Sequence, residues 1–300
     1  MQKAPPTPKG FRDIKPDLAK KRRDVIGKII DVLEEFGFVP IETPTVEFTE
    51  TLKGKYGEEE RLIYEFTDRG GRNLALRYDL TVPLARYVAT YNPPLPFRRY
   101  QIGQVFRGEN PQHGRYREFT QVDFDIVGSQ DLAEDAKIIT AAIRSAQSVS
   151  INKIVMAVND RVNFEGIPPD VIRAYDKIHK IEQAGVEKEL RAKKYTQDQI
   201  DGYMKQLLTP RRSANYEKLV ELLRKQNMLE NHEFFLDESL ARGLDYYTGL
   251  IFELKIKDDL KAPSIGAGGR YDNLIGMFSK KQIPAVGFSF GLDRLIDALG

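Results

Sequence analysis

Cysteine is absent from this 300-residue chain. Disulfides, thiolate zinc sites and cysteine nucleophiles are therefore excluded. No run of about 18 apolar residues occurs, so no transmembrane helix is expected. The opening stretch MQKAPPTPKGFRD lacks the apolar core of a secretory signal, and a cytoplasmic home is the expectation. No GxGxxG opens a helix and no GxxxxGK[ST] is present, so neither a Rossmann cofactor site nor a P-loop is supported. Any ATP must be held another way. Internal repeats and low-complexity tracts are also missing. The formal net charge is only +2, which makes no global case for nucleic-acid binding.

What is present suits a folded globular chain: 41% hydrophobic and 30% charged residues, enough for one large domain or two smaller ones. Residues 1–30 carry nine Lys/Arg against three acids, which a solvated helix face explains. Val25, Ile29, Ile30, Leu33 and Phe36 fall at helical spacing and predict a helix over 17–36, closed by Gly37. An extended segment follows at 39–47, where Pro44 argues for an edge or a bend. Alternation within 60–78, around a turn at 68–72, predicts a hairpin. Thr81 reads as the N-cap of a helix running to Tyr91.

Strands are expected at 97–108 and 118–127, joined by the polar loop 109–117. A helix is expected at 131–149 and a strand at 151–160. Residues 170–230 are rich in Lys, Glu, Gln and Arg with helical spacing. They carry thirteen Lys/Arg against nine acids over 170–227, and read as a mainly helical, mildly basic insertion. Beta character returns at 233–237, 249–257 and 264–267, and 285–299 is a strand running into a helix. Strands and helices mix without a βαβ rhythm. The expected class is α+β, a mostly antiparallel sheet flanked by helices. The expected division is a core of 1–159 with 231–300, and an insertion over 160–230.

FRGENPQHGRYREFTQVDFD, residues 106–125, is the most informative stretch. Arg107, Arg115 and Arg117 surround a turn built from Asn110, Pro111 and Gly114. The planar fork of arginine suits phosphate oxygens. Period-2 alternation puts Phe119, Gln121, Asp123 and Asp125 on one strand face. By themselves these residues read equally well as a polar, solvent-facing sheet with a basic hairpin tip. ARGLDYYTGLIFE (241–253) sets Arg242 and Asp245 before Tyr246 and Tyr247, and alone it reads as a salt bridge beside core tyrosines. GAGGRYDNLIGMF (266–278) has glycines that permit close backbone approach. AVGFSFGLDRL (285–295) places Arg294 in a first helical turn, and RYDLTVPLAR (77–86) pairs Asp79 with Thr81.

Phe-Arg-x-Glu, a loop and an aromatic–acidic strand resemble motif 2 of class II aminoacyl-tRNA synthetases. The Pro-Gln-x-Gly-Arg-Tyr-Arg-x-Phe form is similar to that of histidyl-tRNA synthetases, in an archaeal type of catalytic domain. The runs at 241–253 and 266–278 resemble that family's two histidine motifs, and 285–295 resembles class II motif 3. PKGFRD (8–13) resembles the N-terminal signature, and the helix 17–36 with Pro44 resembles motif 1. These motifs span roughly residues 8–299 in the family's order.

The resemblance implies the class II catalytic fold, ATP-dependent activation of L-histidine to histidyl-adenylate, and transfer to tRNA(His). It implies that Arg107 and Arg242 are catalytic, holding positive charge at the α-phosphate and the histidine carboxylate. Glu109, Arg115, Phe119 and Arg294 would join Arg107 in binding ATP: Glu109 and Phe119 at adenine, Arg115 at the outer phosphates, Arg294 over adenine and at the γ-phosphate. Asp79, Thr81, Gln121, Asp125, Arg242, Tyr246, Tyr247 and Tyr271 would bind histidine, with Asp79 and Thr81 at its ammonium. Arg270 is carried over as a pocket-wall residue. The family more commonly has glutamate at positions 79 and 125.

Mg²⁺ is expected on the leaving phosphates, its protein ligands unassigned. A homodimer through the motif 1 region is implied, with no membrane partner. Neutralising Arg242 is expected to lower activation by roughly 10²–10³. Family members continue into an anticodon-binding domain, so a chain without it is expected to form adenylate while charging tRNA weakly. Two alternatives stand beside this reading. One is a catalytically silent relative, such as the regulatory subunit of ATP phosphoribosyltransferase or the pseudo-synthetase domain of a stress kinase. The other is a class II synthetase for a different amino acid.

Overall fold

The computed structural model describes residues 5–112, 114–209, 211–241 and 246–299. The chain opens with α1 (Pro16–Glu35), then β1 (Val39–Pro40), β2 (Val46–Phe48) and the short α2 (Thr49–Leu52). β3 (Glu65–Thr67), β4 (Asn73–Leu76) and α3 (Thr81–Tyr91) follow, then β5 (Phe97–Phe106) and β6 (Glu118–Val127). α4 (Leu132–Ser148) leads to β7 (Ile154–Asp160). Four helices come next: α5 (Pro169–Tyr175), α6 (Ile178–Ala192), α7 (Gln197–Leu207) and α8 (Ala214–Arg224). The chain then forms β8 (Phe234–Leu236), β9 (Leu250–Ile256), β10 (Gly266–Arg270), β11 (Ala285–Gly291) and α9 (Leu292–Asp297).

Eight strands form one sheet in the order β1-β5-β6-β11-β10-β9-β7-β8, and β2-β4-β3 form a second, three-stranded sheet. Among the described residues only the outer pairs β1/β5 and β7/β8 run parallel. The expected mostly antiparallel α+β architecture is present. Pro40 sits in a two-residue strand at the sheet edge, and Pro44 falls in the break before β2, where it removes no ladder hydrogen bond.

The period of two along the central strands divides the sheet into two unlike faces. Val122, Phe124 and Ile126 of β6, with Val286, Phe288 and Phe290 of β11, enter the main core. There they meet Val25, Ile29 and Leu33 of α1, spaced four apart, and the apolar side of α4. Burying each such side chain contributes roughly 1.5–3 kcal/mol. Asp131 starts α4 by accepting the Ala133 amide at 2.9 Å. Residues 160–230 are mainly helical, yet Tyr216, Leu219, Val220 and Leu223 of α8 belong to the same core as α4, whereas α5, α6 and α7 pack in a second cluster with α3.

The other face of the sheet is polar at its centre. Gln121, Asp123 and Asp125 of β6 pair in register with Gly291, Ser289 and Gly287 of β11, and with Gly103, Gln101 and Arg99 of β5. These side chains do not face open solvent: Gln121 is 8% exposed, Asp123 2% and Asp125 3%. The solvent-facing reading of this strand is therefore wrong: the face lines a cavity walled by Asp79, Tyr246, Tyr247 and Tyr271.

Candidate active site

Every described residue assigned to ATP or histidine binding from the sequence lines one cavity on that polar face; the pocket-wall candidate Arg270 does not. Arg242 lies outside the described residues, as does Asp245. Phe119 and Asp125 mark two ends of the cavity along β6, six residues and about 20 Å apart.

The deep end is acidic. Asp79 accepts the Tyr56 hydroxyl at 2.9 Å and the Val82 amide at 3.0 Å, while its second oxygen is buried with no hydrogen-bond partner. The Val82 bond corrects the expected cap. Leu80 occupies the N-cap position of α3 without a side-chain bond, and Thr81 is already the first helical residue. The carboxylate of Asp79 reaches the first turn instead, which leaves the Thr81 side chain in the cavity lining. Asp125 accepts the Tyr271 hydroxyl and stands 2.6 Å from the guanidinium of the fully buried Arg99. Gln121 donates to the Ser289 hydroxyl at 2.9 Å, leaving its carbonyl oxygen buried and unbonded.

Asp123 lies between Gln121 and Asp125 with one oxygen unbonded. Burial pushes its carboxyl up to about 7; Arg99 opposes the shift and Asp125 adds to it. Burial also raises Asp79 and Asp125 above the usual carboxylate range, and raises the Tyr56 and Tyr271 phenols well above theirs. The deep end thus holds three carboxylates against two buried guanidinium groups, Arg99 and Arg77, an excess of one negative charge. A ligand with an ammonium and a ring N–H fits that imbalance.

Tyr246 and Tyr247 wall this end. Their rings lie 4.9 Å apart, and Tyr246 meets Tyr271 edge-on at 6.0 Å. The glycines of β10 serve packing directly. A Cβ on Gly268 would run into the backbone of Gly287 and Phe288 on the neighbouring strand. A Cβ on Gly287 would occupy the place of the Asp125 carboxylate.

The outer end is basic. The Arg107 guanidinium lies 4.2 Å from the Tyr78 ring centroid and 5.2 Å from that of Phe119, and donates to the Tyr78 carbonyl at 3.2 Å. Arg115 pairs with Glu109 across the hairpin tip. Arg294, in the first turn of α9, donates to the Ser264 carbonyl at 3.2 Å. Three guanidinium groups therefore border the outer cavity, with Phe119 among them. Their arrangement suits a polyphosphate attached to an aromatic base.

Arg270 is the exception among the carried-over residues. It points out of the cavity, pairs with the buried Asp135 and donates to the Ser129 carbonyl at 2.9 Å. On β10 it falls where its long side chain pins the start of α4 instead of lining the pocket. Sequence reading missed Arg99, Tyr56 and Ser289 as site residues, and placed Asp123 on the face without a role. The register of β5 on β6 would have exposed Arg99, since it sits directly opposite Asp125.

Among the described residues, no group of three or more His, Asp or Glu side chains is arranged to hold a metal ion. None of the helices there is long and apolar enough to cross a membrane.

The sequence profile of the family described as histidyl-tRNA synthetase matches residues 10–209 and 201–295. The histidine--tRNA ligase of Aeropyrum pernix is 43% identical over 98% of this chain and 74% of its own length. That of Helicobacter acinonychis is 40% identical over 98% of this chain and 75% of its own. Relatives thus come from both archaea and bacteria. The crystal structure of histidyl-tRNA synthetase from Nostoc sp. PCC 7120 superposes with a TM-score of 0.81 at 30% identity, over 98% of this chain and 75% of that one. A structure described as an ATP phosphoribosyltransferase regulatory subunit/histidyl-tRNA synthetase from Bacillus halodurans has a TM-score of 0.80 at 22% identity, a likeness of fold alone.

Proposed function

The chain belongs to the histidyl-tRNA synthetase family, and from that premise we propose that its cavity activates L-histidine with ATP and passes the histidyl group to tRNA(His). The observation that carries this reading is the polarity of the cavity: carboxylates and tyrosines at the deep end, guanidinium groups and Phe119 at the outer end. Histidine enters the acidic end. Its ammonium meets Asp79 and Thr81, and its imidazole meets Gln121, Asp125, Tyr246, Tyr247 and Tyr271. ATP lies in the outer end, with adenine on Phe119 beside Glu109 and its phosphates on Arg107, Arg115 and Arg294.

One histidine carboxylate oxygen then attacks the α-phosphorus. The Pα–O bond to the β-phosphate breaks, and pyrophosphate leaves with the electron pair. Little proton transfer is required, so catalysis rests on alignment and fixed positive charge. Arg107 is held for that task by Tyr78, whose ring and carbonyl set its plane. Arg242 is assigned the second charge by its motif alone. In the second step the terminal tRNA hydroxyl attacks the adenylate carbonyl carbon and AMP leaves.

Mg²⁺ bound with ATP would supply positive charge to the phosphates. With no cluster of three or more His, Asp or Glu side chains at the outer end among the described residues, such an ion would take most of its oxygens from the phosphates and water, with Glu109 the one carboxylate beside Arg115 there. Exposed Val39, Val46 and Phe48, on either side of Pro44, support a homodimer through the motif 1 region. The basic helical insertion is the assigned contact for the tRNA acceptor arm.

The test is histidine-dependent exchange of pyrophosphate into ATP, with Mg²⁺ and no tRNA. Exchange with histidine alone among the amino acids is the expected result. Histidine binding by calorimetry without any exchange would move the assignment to a regulatory, non-activating protein.

A further inference from the structure

Two arginines far from the motifs of the site converge on one carboxylate at its edge. Arg12 and Arg22 both bond the same oxygen of Asp293. Asp293 adjoins Arg294 in the first turn of α9, and its side chain is only 9% exposed. The Arg12 guanidinium also lies 3.6 Å from the Tyr116 ring centroid, and Arg22 donates to the Thr120 hydroxyl at 2.7 Å. Tyr116 and Thr120 flank the return of the 107–117 hairpin.

The backbone of the N-terminal segment runs along that same hairpin. The Arg117 amide donates to the Gly10 carbonyl at 2.9 Å, and the Arg117 side chain donates to the carbonyls of Glu109 at 2.9 Å and Lys9 at 3.4 Å. Gly10 has φ +89, and a Cβ there would collide with the Arg117 side chain. Only glycine permits this approach.

We propose that Arg12 and Arg22 are positioning residues for nucleotide binding, acting through Asp293 and Tyr116. They lock the hairpin that carries Arg107 and Arg115 to the helix that carries Arg294. The three guanidinium groups at the outer end come from two chain segments, the hairpin tip and the first turn of α9, that are paired through β6 and β11 only as far as Gln121 and Gly291. Arg12 joins those segments by stacking on one and pairing with the other. Arg22 fixes the same carboxylate from α1, which is anchored in the core by Val25, Ile29 and Leu33. The cluster of two guanidinium groups and one carboxylate leaves one net positive charge behind the phosphate end. The nucleotide half of the cavity is thereby held from outside, while the histidine half, built on Arg99, Tyr56 and Tyr271, is held independently.

This inference rests on the assignment of ATP to the outer end. Its test therefore measures binding and catalysis separately. The dissociation constants of Mg·ATP and of histidine are measured by calorimetry for wild type, Arg12→Ala, Arg12→Lys and Asp293→Asn, alongside pyrophosphate exchange and melting temperature. Arg12→Ala is expected to weaken Mg·ATP binding roughly tenfold or more, the scale of one charge-assisted hydrogen bond, with histidine affinity unchanged. Arg12→Lys keeps the charge but loses the planar stacking on Tyr116, so it is expected to recover only part of that loss. The double variant Arg12→Ala/Asp293→Asn is expected to be no worse than the poorer single variant, because both act through one contact. Unchanged Mg·ATP affinity in Arg12→Ala, or equal losses for both ligands in step with a falling melting temperature, would overturn the proposal. Wild-type protein that binds Mg·ATP without exchanging pyrophosphate would count against the activation reading and leave the binding comparison decisive.

Discussion

The Asp125 carboxylate stands 2.6 Å from the Arg99 guanidinium, with 0% of the arginine side chain and 4% of the aspartate exposed. Neither charge reaches water, so each depends on the other. Arg99→Leu is expected to destabilise the protein by roughly 3–5 kcal/mol, the penalty for stranding a buried charge. Urea unfolding at pH 7 measures it. Arg99→Leu/Asp125→Asn is expected to regain part of the loss, since it removes both charges; a double variant no more stable than Arg99→Leu would contradict the coupling.

Asp123 makes stability depend on pH in a defined direction. Its folded-state carboxyl is pushed up to about 7, chiefly by burial, while an unfolded aspartate titrates near 3.9. Between these values the folded protein holds a proton that the unfolded chain has released. Stability from this group is therefore full below pH 4, declines as pH rises towards 7, and is flat above. Asp123→Asn cannot ionise and escapes the decline. Its melting temperature relative to wild type is expected to climb between pH 5 and 8, by the equivalent of a few kcal/mol. A difference independent of pH would show that Asp123 titrates as an ordinary carboxylate.

Gly287 faces Asp125 across β6 and β11, and a methyl group there would take the space of the carboxylate. Gly287→Ala must push Asp125 away from Arg99 and Tyr271. The expected outcome is a histidine KM raised at least tenfold, with KM for ATP changed far less, because the outer guanidinium groups stand elsewhere on the face. Steady-state exchange kinetics with each substrate varied in turn would separate the two. Equal rises in both constants would mean that the whole sheet has shifted.

Arg107 carries the charge argument at the α-phosphate. Replacing it with glutamine keeps the polar side chain while removing the charge and the stacking on Tyr78. The exchange rate is expected to fall by roughly 10²–10³, a loss larger than any accompanying change in histidine affinity. Single-turnover adenylate formation isolates this step from product release. A rate within a few-fold of wild type would remove Arg107 from the chemistry.

The hairpin is the part of the site most legible in the sequence. Strict alternation over 119–125 puts four cavity-lining side chains on one face, and strands form at Phe97–Phe106 and Glu118–Val127, close to the expected 97–108 and 118–127. The helix starting at Thr81 was also legible, though its cap was not. Asp79 bonds the Val82 amide, a choice made by how the β4–α3 turn enters the cavity. Arg270, the last residue of β10, adjoins Tyr271 yet serves α4, pairing with Asp135 and donating to the Ser129 carbonyl.

Local periodicity and the order of the motifs were determined by the sequence itself, since both arise from steric preferences among near neighbours. Those preferences sufficed for the strands of the central sheet and for the face on which the carboxylates would stand. They could not pair Arg12 with Asp293, separated by 281 residues, or Arg99 with Asp125 across a strand register. Only the tertiary structure decided which charges meet. Coulomb attraction and burial act through space, and the chain must be folded before distance along it stops mattering.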